Sequence, residues 1–141
     1  MMNDRSLPIR HHRKALCGAL ALFLGAIGAH RLYLGARWWW IYPLLALPAM
    51  GIALRSEPWY RHPAFFVATL VALAAMLEAI VFCLTPDEKW DARHNPGSPR
   101  RSTSGWPEAL VAIVALVLGA TLLMSVMAIA LEGWVRAMGV R

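Results

Sequence analysis

Four apolar stretches divide the chain, with polar segments between them. The first runs ALCGALALFLGAIGAHRLYLG, from Ala15 to Gly35. The second covers Trp38 to Leu54, the third Pro63 to Leu84, and the fourth Ala109 to Leu131, which holds no charged residue. Long uncharged runs of this kind are the pattern of helices in lipid. The chain is therefore expected to be an all-α membrane protein, a small helical bundle of four apolar helices making three or four crossings.

The stretches differ in how well they fit a bilayer. Ala15 to Gly28 gives only about 21 Å of helix, whereas continuing to Leu34 gives about 30 Å, the thickness of the hydrocarbon core. The first helix is thus expected to reach Leu34. Arg31 would then snorkel near its far end, with His30 and Tyr33 at headgroup depth. Gly25 and Gly28 allow a bend or the close approach of another helix. Trp38, Trp39, Trp40 and Tyr42 suit a membrane–water boundary, since indole has an apolar body and an N–H that needs a wet partner. Pro43 and Pro48 each remove a backbone donor and predict a kinked second helix. Pro63 opens the third, about 33 Å long, at a favoured first-turn position. Ala64, Ala68 and Ala72 share one of its faces, and Ala75 and Ala79 a neighbouring one. Ala115 and Gly119 form a small-residue pair in the fourth helix. Glu132 and Arg136 are spaced to pair at its exit.

The polar segments complete the organisation. Residues 1–14 read as a basic, solvated cytoplasmic tail in which His11 and His12 point different ways. A basic start before an apolar run also fits a signal peptide cleaved near Ala29, but the aromatic and basic residues that follow favour retention as a first helix. Residues 15–84 form the transmembrane core. In residues 85–105, Thr85, Pro86 and Glu88 carry a capping-box signature. Amphipathic turns through Arg93 and a linker rich in Pro, Gly, Ser and Arg follow it. Residues 106–134 supply an additional transmembrane helix and 135–141 a tail.

Composition sharpens this picture. Hydrophobic residues make up 59% and charged residues 16%, with mean hydropathy +0.50; soluble domains carry about a quarter charged residues. The net charge of +6 sits between apolar segments, so membrane orientation explains it better than nucleic acid. Cys17 and Cys83 lie in apolar runs without a CxxC partner and read as small buried hydrophobes.

Candidate chemistry is sparse. Glu78 lies about 9 Å before Leu84, a depth at which an acid must be paired or protonated. It reads as a carboxylate facing the bundle, or else as a proton or ion site. The histidines and acids show no HExxH-like spacing, and Ser125 and Thr121 lack a base on their helix face. No catalytic residue, metal site or cofactor is expected.

The stretch LALFLGAIGAHRLYLG resembles the signature of the TM-two domain family, a pattern close to G-x-x-G-x-[HD]-R-F-Y-L-G. Gly25, Gly28, His30, Arg31, Tyr33, Leu34 and Gly35 match, and Leu32 replaces phenylalanine. The resemblance extends over roughly residues 14–84. It implies a pair of transmembrane helices and an acid near the end of the second hydrophobic helix, which looks like Glu78. It implies no defined activity.

Basic residues place the amino terminus in the cytoplasm of a bacterial-type inner membrane whether or not Trp38 to Leu54 crosses; four crossings are preferred. On that arrangement Arg31 or His30 can reach Glu78, and with three crossings they cannot. The expected role is a structural or interaction module packing with itself or other membrane proteins. The alternative is a small transporter, channel subunit or ion-coupled sensor using Glu78 and His30.

Overall fold

The computed structural model describes residues 11–139, and these are helical with connecting turns. Helix α1 spans Lys14–Leu24 and ends in a 3-10 turn at Gly25–Ile27. Helix α2 spans Ala29–Tyr33, α3 Ile41–Ala53, α4 Pro63–Leu84, α5 Asp87–His94 and α6 Trp106–Ala137. The expectation of one helix reaching Leu34 is overturned. Gly28 adopts φ +73°, with Trp39 O only 2.5 Å from where a Cβ would stand. A left-handed residue stops a right-handed helix, and glycine alone takes that conformation without a steric cost.

Helix α4 is the axis of the bundle. Along it, α1 runs antiparallel: Lys14 Nζ donates to Thr85 O at 2.8 Å, Gly18 faces Cys83, and Gly25 faces Ala75. The beginning of α3 lies beside the next stretch of α4, where Ile41, Tyr42 and Leu45 border Leu70, Val71 and Ala74. Thus α1 covers the later half of α4 and α3 the earlier half, both pointing the same way. At about 16 and 20 Å, neither equals the 33 Å of α4; placed end to end they do.

Helix α6 packs antiparallel on α4 along a stripe of Ala112, Ala115, Gly119, Leu122, Val126 and Ile129, the period of one helix face. Ala21, Leu22, Ala79 and Ala115 form the core where α1, α4 and α6 meet, with Met76 and Ile80 against it. Small side chains at these positions let the three backbones approach. Two starts are capped. His62 Nδ1 accepts from Ala64 N–H at 3.1 Å before Pro63 opens α4. Glu108 accepts from Gly105 N–H at 2.8 Å, one arm of a capping box, before α6.

The bundle has two polar ends. At the near end lie the start of α1, the end of α4, α5 and the start of α6. The far end holds the connection from α3 to α4 and the exit of α6, where Glu132 accepts from Arg136 at 2.6 Å and from Arg61 at 3.1 Å.

The near end departs from the sequence expectation. Residues 11–14 are docked rather than solvated. His12 N–H donates to Asn95 Oδ1 at 2.6 Å, and Trp90 Nε1 donates to His12 O at 2.8 Å. Lys14 is buried and ion-paired with Asp87. Thr85 does not cap α5, because its hydroxyl donates back to Val81 O at 2.6 Å and α5 begins after Pro86. Residues 1–10, assigned to the basic tail, and 140–141 lie outside the described residues.

Candidate functional site

The joint between the half-length helices α1 and α3 gathers the polar groups of the apolar core. Helix α2 turns back from Gly28 toward the near end, and Tyr33 Oη accepts from Arg13 N–H at 3.0 Å. This reversal sets His30 and Arg31 beside α4 at the level of Glu78. His30 Nε2 meets Glu78 Oε2 at 2.6 Å. A carboxylate only accepts, so that nitrogen carries the proton. Arg31 approaches with two nitrogens, Nε donating to Oε2 at 3.2 Å and Nη2 to Oε1. Tyr42, in the first turn of α3, donates its hydroxyl to Oε1 at 2.6 Å. Each carboxylate oxygen therefore accepts from two donors. Sequence reasoning expected one of His30 and Arg31 to reach Glu78; both do, and Tyr42 joins them.

Aromatic contacts enclose this knot. The His30 ring is fully buried, edge-on to Tyr42 with centroids 5.2 Å apart, and Phe82 lies 6.1 Å away. The Arg31 guanidinium sits over the Tyr42 ring at 5.1 Å. Beyond Phe82, Trp90 and His94 continue the series to α5. His30 is thus buried inside the bundle rather than standing at a helix end, where a straight first helix would have placed it.

Arg31 reaches Glu78 although the start of α1 and the end of α4 lie at the same end. A continuous first helix would have carried Arg31 to the opposite end, out of reach. The break at Gly25–Gly28 shortens the run and turns Arg31 back.

The other motif residues make this reversal. A Cβ on Gly25 would lie 2.2 Å from that of Ala75, so only a residue without one lets α1 end against α4. Tyr33 ties α2 to the start of α1 and meets His12 edge-on at 5.2 Å. Leu34 lines a groove beside Arg31, and Gly35 turns the chain at φ +68°.

Residues 10–54 match the family model described as the TM2 domain. Over these residues the chain is similar to a TM2 domain. The matched residues end at Leu54, short of the expected boundary at Leu84. The TM2 segment therefore contributes α1, α2 and α3, with His30, Arg31 and Tyr42, while Glu78 is presented by α4 from outside it. No curated protein and no solved structure matches the chain.

A second polar cluster lies at the near end, outside the apolar helices. Asp91 is buried and accepts from Asn95 Nδ2 at 2.9 Å, from Ser102 N–H at 2.7 Å and from the Ser102 hydroxyl at 2.5 Å. Burial opposes its charge, but these hydrogen bonds outweigh it and hold the carboxyl at about 2. Burial likewise opposes the charge of Asp87; Lys14 and Ser104 overcome it and hold that carboxyl below its usual range. The linker at residues 95–105 is pinned by these acids to α5. Charged pairs at i and i+4 signalled the Glu132–Arg136 contact, whereas the Asp91–Ser102 contact spans a turn that no periodicity reveals.

Proposed function

We propose that this TM2 protein is an integral membrane protein of a bacterial-type inner (plasma) membrane that crosses three times rather than four. In this reading α1 and α3 together make one interrupted crossing, and α4 and α6 make the others. Among the described residues, two helices are long and apolar enough to cross. Their outward side chains support the reading: Leu77, Val81, Leu116, Val117 and Met127 are each about three-fifths exposed, a surface suited to lipid. Arg13, Lys14, Lys89, Arg93, Arg100 and Arg101 lie at the near end, against Arg55, Arg61 and Arg136 at the far end. The excess supports a cytoplasmic near end and amino terminus. Impermeant thiol labelling tests the arrangement in a protein lacking Cys17 and Cys83. Ser56→Cys should label from outside and Thr103→Cys only after permeabilisation. The reverse pattern would require four crossings.

The role supported best is a non-enzymatic structural or interaction module. The carrying observation is that Glu78 spends both oxygens on His30, Arg31 and Tyr42, joining α2, α3 and α4. Outward contact is left to an apolar groove of about 470 Å³ between α4 and α6, bordered by Leu70, Leu77, Leu116, Gly119 and Leu123. Photo-crosslinkers at Leu116 and Leu123 should capture protein in native membranes, and one at Val81 should not. Capture of lipid alone would refute the interaction role. One observation favours a second reading, ion-coupled transport or sensing: many transporters place their ion sites at a helix break, and here polar groups gather at one. Proton or cation flux in proteoliposomes, abolished by Glu78→Gln, would select it.

A further inference from the structure

Beside the joint, on the near end of the bundle, α2 and its following turn leave a groove of about 270 Å³ against the end of α4 and one face of α5. Its walls are of two kinds. Leu34, Val81 and Phe82 form an apolar wall, while Arg31, Lys89 and Arg93 bring cationic groups to the mouth.

Helix α5 sorts its charges. Lys89 and Arg93 are one turn apart and share the face turned to the groove, with Trp90 and His94 between and beside them. Asp87 and Asp91 point to the other side, where Lys14, Asn95, Ser102 and Ser104 take up their oxygens. Neither Lys89 nor Arg93 is ion-paired with a described residue, and both are exposed. Arg31 directs Nε and Nη2 to Glu78. That pairing leaves the N–H groups of its other terminal nitrogen, on a side chain about 35% exposed.

The geometry points to this groove as a binding site for the phosphate headgroup of an anionic phospholipid of the cytoplasmic leaflet. The phosphate lies between Lys89 and Arg93 and accepts from the outward N–H groups of Arg31. One acyl chain follows the exposed strip of Val81 and Leu77 along α4. Charge complementarity selects the headgroup, and continuity with the apolar face of α4 selects a lipid over a soluble anion. Basic pockets between helices on the cytoplasmic side are suited to such headgroups. His94 adds no charge near neutral pH, because burial and then the neighbouring Arg93 push its imidazole below the usual range. The site rests on the membrane reading above but fails separately from it: a protein that resists carbonate extraction and shows no lipid preference removes the site alone.

Native mass spectrometry of the full chain, released from detergent with added phosphatidylglycerol or phosphatidylcholine, tests it. Phosphatidylglycerol should bind in preference. Removing both charges in Lys89→Ala/Arg93→Ala should weaken it about thirtyfold, at roughly fivefold per basic residue. Arg100→Ala/Arg101→Ala removes as much charge from the same end and should change binding little. An unchanged melting temperature in both variants shows that the fold is kept. Equal losses in the two variants, equal binding of phosphatidylcholine, or displacement by soluble glycerol phosphate at matched concentration would each overturn the site.

Discussion

The two flanks of α4 solve the same packing problem in opposite ways. On one flank the chain is interrupted, and the interruption is filled with polar side chains: Gly25 closes on Ala75, the chain reverses at Gly28, and His30, Arg31 and Tyr42 converge on Glu78. On the other flank α6 runs unbroken, touches α4 through Ala115 and Gly119, and leaves an open apolar groove. A break in an apolar setting frees backbone and side-chain groups that must find partners, which forces close complementarity. A continuous helix satisfies its own backbone and packs by size alone. Constraint therefore concentrates on the broken flank.

Substitutions that unmake the knot should have the largest effect. Glu78→Ala leaves Arg31 and His30 without their acceptor and should cost on the order of 3 kcal/mol, the lower part of the range for a broken buried pair because Arg31 is partly exposed. Glu78→Gln retains an acceptor oxygen and should cost less than Arg31→Ala. Combining Glu78→Ala with Arg31→Ala should cost less than the sum by about 1 kcal/mol or more. Unfolding in mixed detergent micelles measures all of these, and additivity would dissolve the pairing account.

A milder probe compares glycines on the two flanks. Gly25→Ala forces a methyl group into Ala75 and should cost about 1–3 kcal/mol. Gly119→Ala meets Met76 at 3.7 Å, ordinary contact distance, and should stay within about 0.5 kcal/mol of the parent. Equal costs would erase the distinction between the flanks.

Away from both flanks, the near-end cluster should respond to acid. The Asp91 carboxyl titrates at about 2 in the folded chain, below its ordinary 3.8. Its contribution is complete above about pH 4 and disappears as pH falls toward 2. Hydrogen exchange of residues 95–105 should accelerate over that window, and Asp91→Asn should flatten the response. The smallest effect is expected at the far end. Glu132→Gln removes pairs made in the open and should leave the melting temperature within error.

Much of the architecture can be read from hydrophobic runs, because length and apolarity alone specify α4 and α6. The small residues Ala79, Ala115 and Gly119 likewise mark where helices meet. The break between α1 and α2 was harder to read. Its cause is a positive φ at Gly28 together with two backbone approaches, at Ala75 and Trp39, that exist only once α3 and α4 are in place. Tyr42 misleads for a related reason: beside Trp38–Trp40 it reads as an interface aromatic, and its role at Glu78 depends on which way α3 begins. The burial of Lys14 and Trp90 is equally hidden, since partners at Thr85 and His12 lie far along the chain and leave no local pattern.

The half-length of α1 and α3 also bears on how the protein is made. Neither is long enough to be inserted into a bilayer by itself, and both find their complement in α4, which leaves the ribosome after them. If the chain crosses as proposed, α1 and α3 are expected to wait at the membrane surface until α4 draws them in. A chain ending at Ser56 should be released from membranes by carbonate, whereas one ending at Gly97 should be retained. Retention of the shorter chain would show that the leading segment enters unaided.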